Sequence, residues 1–70
     1  MPDVTAELMG NVWKIVAEVG AKLEIEDEIM ILESMKMEIP VLSPIAGTLK
    51  TIFVAEGDAV EEGQALAEVS

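Results

Sequence analysis

Residues 10–33, GNVWKIVAEVGAKLEIEDEIMILE, recur in residues 47–70 as GTLKTIFVAEGDAVEEGQALAEVS, at a constant offset of 37 residues and without a gap. Two glycines and five aliphatic residues of the first copy align with residues of the same class in the second: Gly10 and Gly47, Val12 and Leu49, Ile15 and Ile52, Gly20 and Gly57, Leu23 and Val60, Ile29 and Leu66, Leu32 and Val69. Since neither copy is long enough to bury a core alone, we expect the two to pack together about a pseudo-two-fold axis.

The segments between the glycines and prolines are short, apolar and rich in β-branched residues: NVWKIV, EIMIL, MEIPVL, GTLKTIFV and ALAEV. Many short strands at close spacing predict an all-β sandwich or barrel. Pro40, inside one such segment, predicts an edge strand or a bulge. Trp13 follows Val12 and aligns with Lys50, so we expect it to face outward, either as a docking residue or as a partly covered surface residue.

The composition predicts one small domain, residues 1–70, with an acidic surface. The net charge of -10 repels phosphate and anionic lipid, so we expect neither nucleic acid nor a membrane as a partner. The chain contains no cysteine and no histidine, which excludes a disulfide and the common zinc sites. No basic segment followed by an apolar one marks a secretory signal, so we expect a cytoplasmic protein, and a monomer.

The segment ESMKME, residues 33–38, places Lys36 between two methionines in a chain that has only four basic residues. The offset aligns Glu33 with Ser70, so the segment SMKM has no counterpart in the second copy. We therefore expect Lys36 at the tip of a hairpin between strands 28–33 and 37–43.

The neighbours of Lys36 argue against catalysis by the lysine itself. A catalytic lysine is kept neutral by burial or by a neighbouring cation, whereas Glu33 and Glu38 favour the charged ammonium. A hairpin tip is a place that another enzyme can enclose and modify. Met35 and Met37 then provide a soft contact surface for that enzyme, or, in a plain hairpin, fold onto the end of the barrel.

The segment ILESMKMEIPV, residues 31–41, closely resembles the attachment motif of biotinyl domains, in which a lysine between two methionines carries biotin. SPIAGTLKTIFVAEGDAVEEGQALAEV, residues 43–69, resembles the second half of the same family. The resemblance covers about residues 4–70 and is greatest to the small stand-alone biotin/lipoyl attachment proteins and to the biotin carboxyl carrier protein of acetyl-CoA carboxylase. It implies a flattened barrel of two four-stranded antiparallel sheets.

The resemblance also implies a function. A biotin protein ligase would join biotin to Lys36, with Met35 and Met37 as flanking recognition residues and Glu33 and Glu38 as further candidates for ligase recognition. The chain would then be a non-catalytic carrier whose biotin moves carboxylate from a biotin carboxylase to a carboxyltransferase of an acyl-CoA type, as in fatty acid biosynthesis. A lipoyl carrier, with lipoate on the same lysine, and an unmodified β interaction module remain alternatives.

Two departures from the family pattern carry structural expectations. Glu26 stands where family members commonly have glycine, at the position that matches Gly63, so either Glu26 is strained or the turn has another shape. The loop after Gly20 has no insertion, so we expect no protruding "thumb" to cover biotin.

Overall fold

The computed structural model describes residues 3–70, which form strands and turns and contain no helix. The part of the chain so described therefore holds no helix that could cross a membrane. Its strands are β1 Asp3–Thr5, β2 Gly10–Ile15, β3 Lys22–Leu23, β4 Glu28–Ser34, β5 Met37–Leu42, β6 Gly47–Ile52, β7 Ala59–Val60 and β8 Ala65–Val69.

The strands build two four-stranded antiparallel sheets, with the orders β1-β8-β6-β3 and β5-β4-β2-β7. The sheets pack as an unclosed sandwich, so the prediction of two four-stranded antiparallel sheets is confirmed. β5 is an edge strand and carries Pro40, whose missing amide hydrogen is harmless on an edge.

The backbone hydrogen bonds follow the pseudo-two-fold of the sequence. The Gly20 amide donates to the Leu49 carbonyl at 2.7 Å, and the Gly57 amide donates to the Val12 carbonyl at 2.7 Å. The pairing of β2 with β4 shifts register after Val12, and the pairing of β6 with β8 shifts after Leu49, so the bulges repeat too. The repeat predicted from the sequence is therefore confirmed.

The core between the two sheets is aliphatic, and both copies contribute to it equally. Val12 and Leu49, which the offset of 37 aligns, are both fully covered. The remaining core residues are Val4, Ala6, Leu23, Ile29, Met30, Leu32, Val41, Val60, Leu66, Ala67 and Val69. Because β4 lies inside its sheet with Ile29 and Met30 fully buried, it resists local unfolding and holds the hairpin that follows it in place.

The turn at Glu26 has the same shape as the turn at Gly63. Glu26 has φ of 72° and Gly63 has φ of 85°, and their amides donate to the carbonyls of Ser43 and Ala6, each at 2.8 Å. Of the two expectations for Glu26, strain is the correct one, because a residue with a side chain is disfavoured in this region by about 1–2 kcal/mol.

Replacing Glu26 by glycine should therefore stabilise the fold. Relief of strain outweighs the backbone entropy that glycine loses on folding, for a net gain of about 0.5–1 kcal/mol. We expect the midpoint of thermal unfolding to rise by roughly 3–6 °C. Gly63→Ala is the matched control and should lower the midpoint, since its added Cβ touches nothing within 4 Å and only the backbone conformation is penalised. A lower midpoint for Glu26→Gly would refute the strain.

Candidate functional site

Lys36 lies in a two-residue turn that joins β4 to β5. Ser34 and Met37 pair across the end of the hairpin, and the two residues between them have positive φ, 53° at Met35 and 64° at Lys36. Positive φ at both central positions is the signature of a type I′ turn, which asparagine and glycine normally occupy. Two residues with long side chains in this conformation represent strain, which proteins retain mainly at functional positions.

The register of the two strands determines where the turn projects. β4 and β5 pair from Glu28 and Leu42 up to Ser34 and Met37, with one irregularity between Glu28 and Met30. A slip by one residue would exchange the buried and exposed faces of β4, which the burial of Met30 and Leu32 on one face opposes. The position of Lys36 is therefore set by the packing of the core and not by the turn alone.

Both methionines that flank Lys36 face away from the core. Met35 is 88% exposed and Met37 is 58% exposed, and Lys36 is exposed between them. Of the two possibilities left by the sequence, folding of the methionines onto the end of the barrel is therefore wrong. An exposed apolar pair beside one amine is a surface suited to contact with another protein.

Glu33 and Glu38 are direct cross-strand partners, and both are exposed. Like charges placed opposite each other on neighbouring strands destabilise a sheet. The pair lies one position below the pair Ser34 and Met37 that closes the turn. The hairpin thus has exposed methionines at its tip and a pair of carboxylates one residue pair below them.

The other residues singled out in the sequence lie away from the tip. Trp13 lies at the bulge of β2, half exposed on the outer face as expected, with Lys14 also exposed because of the irregular register. Lys22 and Lys50 are exposed residues within β3 and β6. None of these three lysines lies in a turn.

The sequence interpretation missed two residues beside the hairpin, Leu8 and Met9. They belong to the exposed large apolar residues, and they line one groove together with Ser34 and Ile39 of the hairpin. The sequence held little signal for them, because Leu8 aligns with the equally apolar Ile45 and only Met9 is larger than its counterpart, Ala46.

Comparison with known proteins agrees with this geometry. The family model described as "Biotin-requiring enzyme" matches residues 1–69. The "Biotin/lipoyl attachment protein" of Bacillus subtilis is 43% identical over 67 residues, which are 96% of this chain and 92% of that protein.

Two solved structures have the same shape. The Kluyveromyces lactis urea carboxylase matches 99% of this chain with 6% of its own, at a TM-score of 0.95 and 35% identity. A single-chain, multi-domain long-chain acyl-CoA carboxylase matches 94% of this chain with 7% of its own, at a TM-score of 0.88 and 29% identity. The sandwich is therefore also found as a small part of much larger enzymes.

Proposed function

We propose, since the chain belongs to the biotin/lipoyl attachment family and is a biotin carrier domain, that biotin is joined to the Lys36 amine. The observation that supports this most is the turn itself, which holds the amine on an exposed, strained tip between two paired strands. The residues present fit the group, because an amide to biotin requires an accessible primary amine. When attached, biotin supplies a group that accepts and gives up carboxylate.

Acylation of Lys36 requires a partner that activates the carboxyl group of biotin, and we assign that role to a biotin protein ligase. The Lys36 ammonium would first lose one proton; the neutral Nζ would then form an amide with the carboxyl carbon, the activating group would leave with its bonding electrons, and the nitrogen would give up a second proton. The strands fix the backbone at Lys36 and so the point from which its side chain leaves the turn. The ligase needs that placement, because a shift of about 1 Å can reduce a rate on the order of a hundredfold.

The carrier would then serve a biotin carboxylase and a carboxyltransferase, with no catalytic group of its own. We propose an acyl-CoA as the final acceptor, supported by the match to the long-chain acyl-CoA carboxylase. The match to the urea carboxylase means that sandwiches of this shape occur with different acceptors. The choice of acceptor therefore belongs to the partner enzymes.

Intact-mass measurement after incubation with a ligase decides between the cofactors. The purified chain would be incubated with ATP and either a biotin ligase with biotin or a lipoate ligase with lipoate. We expect one biotinyl increment in the first sample and little modification in the second. A complete lipoyl increment without a biotinyl one would support the lipoyl alternative, and no increment in either would support an unmodified interaction module.

Moving the lysine by one position should impair acceptance. The double variants Lys36→Met with Met35→Lys, and Lys36→Met with Met37→Lys, keep composition and charge unchanged. Position 35 precedes Lys36 in the turn, and position 37 lies on β5 opposite Ser34, so the amine would project differently in each. We expect the initial rate of biotinylation to fall by on the order of a hundredfold. A native rate in either variant would refute the positional requirement.

A further inference from the structure

The loop between β1 and β2 has a structural counterpart in the second copy of the repeat. Residues 7–9, named here the contact loop, begin after Ala6, whose amide donates to the Gln64 carbonyl at 3.0 Å. In the second copy, residues 44–46 begin after Ser43, whose amide donates to the Asp27 carbonyl at 2.8 Å. The two loops therefore start from equivalent backbone hydrogen bonds. A difference in the exposure of their side chains is not imposed by the backbone.

The side chains of the two loops differ in exposure. In the contact loop, Leu8 is 48% exposed and Met9 is 69% exposed. At the equivalent places, Ile45 packs against the core and Ala46 is small. Single exposed apolar residues are common, but apolar residues that are adjacent and line one groove beside a candidate site mark contact with another molecule, so this difference between the copies points to function.

The contact loop is continuous with the Lys36 hairpin. Gly10, which follows the loop, is so close to β4 that a Cβ on it would lie 2.5 Å from the Glu33 carbonyl oxygen. The groove shared by the loop and the hairpin has a volume of about 170 Å³. Small-molecule sites usually have at least about 300 Å³, so a side chain of a partner protein fits this groove better than a cofactor.

One acidic residue, Glu7, lines this groove, and two more lie on the outer face of the hairpin, opposite to the face that lines the groove. Glu7 lies in the contact loop, and the pair Glu33 and Glu38 lies below the tip. The chain as a whole carries a net charge of -10. Complementarity therefore requires a partner that presents lysine or arginine around an apolar centre.

We infer that the contact loop is a second docking element for the biotin protein ligase, which places an apolar side chain in the groove and basic residues around it. The inference rests on the proposed acylation of Lys36. An enzyme that encloses the tip meets the contact loop next, because loop and hairpin form one surface. Leu8 and Met9 thus contribute to binding of the ligase and take no part in the chemistry.

Replacing Leu8 or Met9 by glutamine should weaken recognition without unfolding the domain. We expect kcat/KM for biotinylation to fall about tenfold in each variant, through a higher KM, since a central apolar contact is lost. Ile25→Gln is the matched control, because Ile25 is 63% exposed in the turn that precedes β4 and does not line the groove. It should stay within about twofold of the native chain.

Two further measurements separate docking from a structural defect. Met9→Leu retains an apolar side chain and should retain native kinetics, and raising salt from about 50 to 500 mM should raise KM of the native chain. Native kcat/KM in both glutamine variants, equal losses in Ile25→Gln, or a defect in Met9→Leu would each overturn the inference. A native chain that accepts no biotin would refute the proposed function instead.

Discussion

Replacing Lys36 by arginine is expected to abolish biotin incorporation and to leave the midpoint of thermal unfolding nearly unchanged. Arginine keeps the positive charge, but its guanidinium stays protonated and offers no amine for an amide bond. Lys36 is exposed at a tip, and substitutions at such positions usually change stability by less than about 0.5 kcal/mol. Intact mass after exhaustive treatment with ligase measures the first effect, and calorimetry measures the second.

The other three lysines provide the controls for this result. Lys14→Arg, Lys22→Arg and Lys50→Arg should accept biotin as fully as the native chain, because these residues lie within strands and not on the hairpin. A biotinyl increment in Lys36→Arg would show that another amine is the acceptor. A fall of several degrees in its unfolding midpoint would show that Lys36 has a structural role.

Of the substitutions that add one methyl group at a glycine of the repeat, Gly10→Ala should destabilise the fold most. The added Cβ would lie 2.5 Å from the Glu33 carbonyl oxygen and 3.2 Å from the Ser34 Cβ. Both atoms belong to β4, which is hydrogen-bonded to neighbours on two sides and cannot move aside. Overpacking of this kind costs about 1–3 kcal/mol, and we expect the unfolding midpoint to fall by roughly 10 °C or more.

Gly47→Ala tests whether the destabilisation in Gly10→Ala comes from the close approach to β4 or from the loss of glycine itself. Its Cβ would lie 2.8 Å from the Ser70 carbonyl oxygen, a similar clash at the equivalent place. Ser70, however, is exposed and lies beyond the last residue of β8, so it can shift at less cost than β4, although its two backbone hydrogen bonds with Thr48 would lengthen. We expect a loss of less than about 1 kcal/mol. Equal losses in the two variants would contradict the role assigned to β4.

The long strands could be predicted from the sequence, whereas the shortest ones could not. The segments MEIPVL and ALAEV coincide with β5 and β8, because short apolar runs between turn residues mark strands of this length. β1, β3 and β7 have only two or three residues each, too few for a recognisable alternation. They form because the sheet beside them supplies partners, as β6 does for Lys22 and Leu23.

At the candidate site, the sequence predicted the hairpin but not its surroundings. The repeat placed Lys36 at a tip, since the segment around it has no counterpart in the second copy. Whether Met35 and Met37 fold inward depended on turn geometry, which sequence periodicity does not specify. The approach of Leu8 and Met9 depends on Gly10 lying against β4, a contact between strands that no local pattern encodes.

Trypsin mapping of the ligase-treated chain tests the attachment of biotin to Lys36 most directly. The chain has four lysines and no arginine, and an amide on a lysine side chain blocks cleavage after it. We predict a single modified fragment, residues 23–50, one biotinyl group heavier than its unmodified mass and uncut after Lys36. Fragments 23–36 and 37–50 at their unmodified masses from a fully biotinylated chain, with the label instead on a fragment containing Lys14, Lys22 or Lys50, would contradict it.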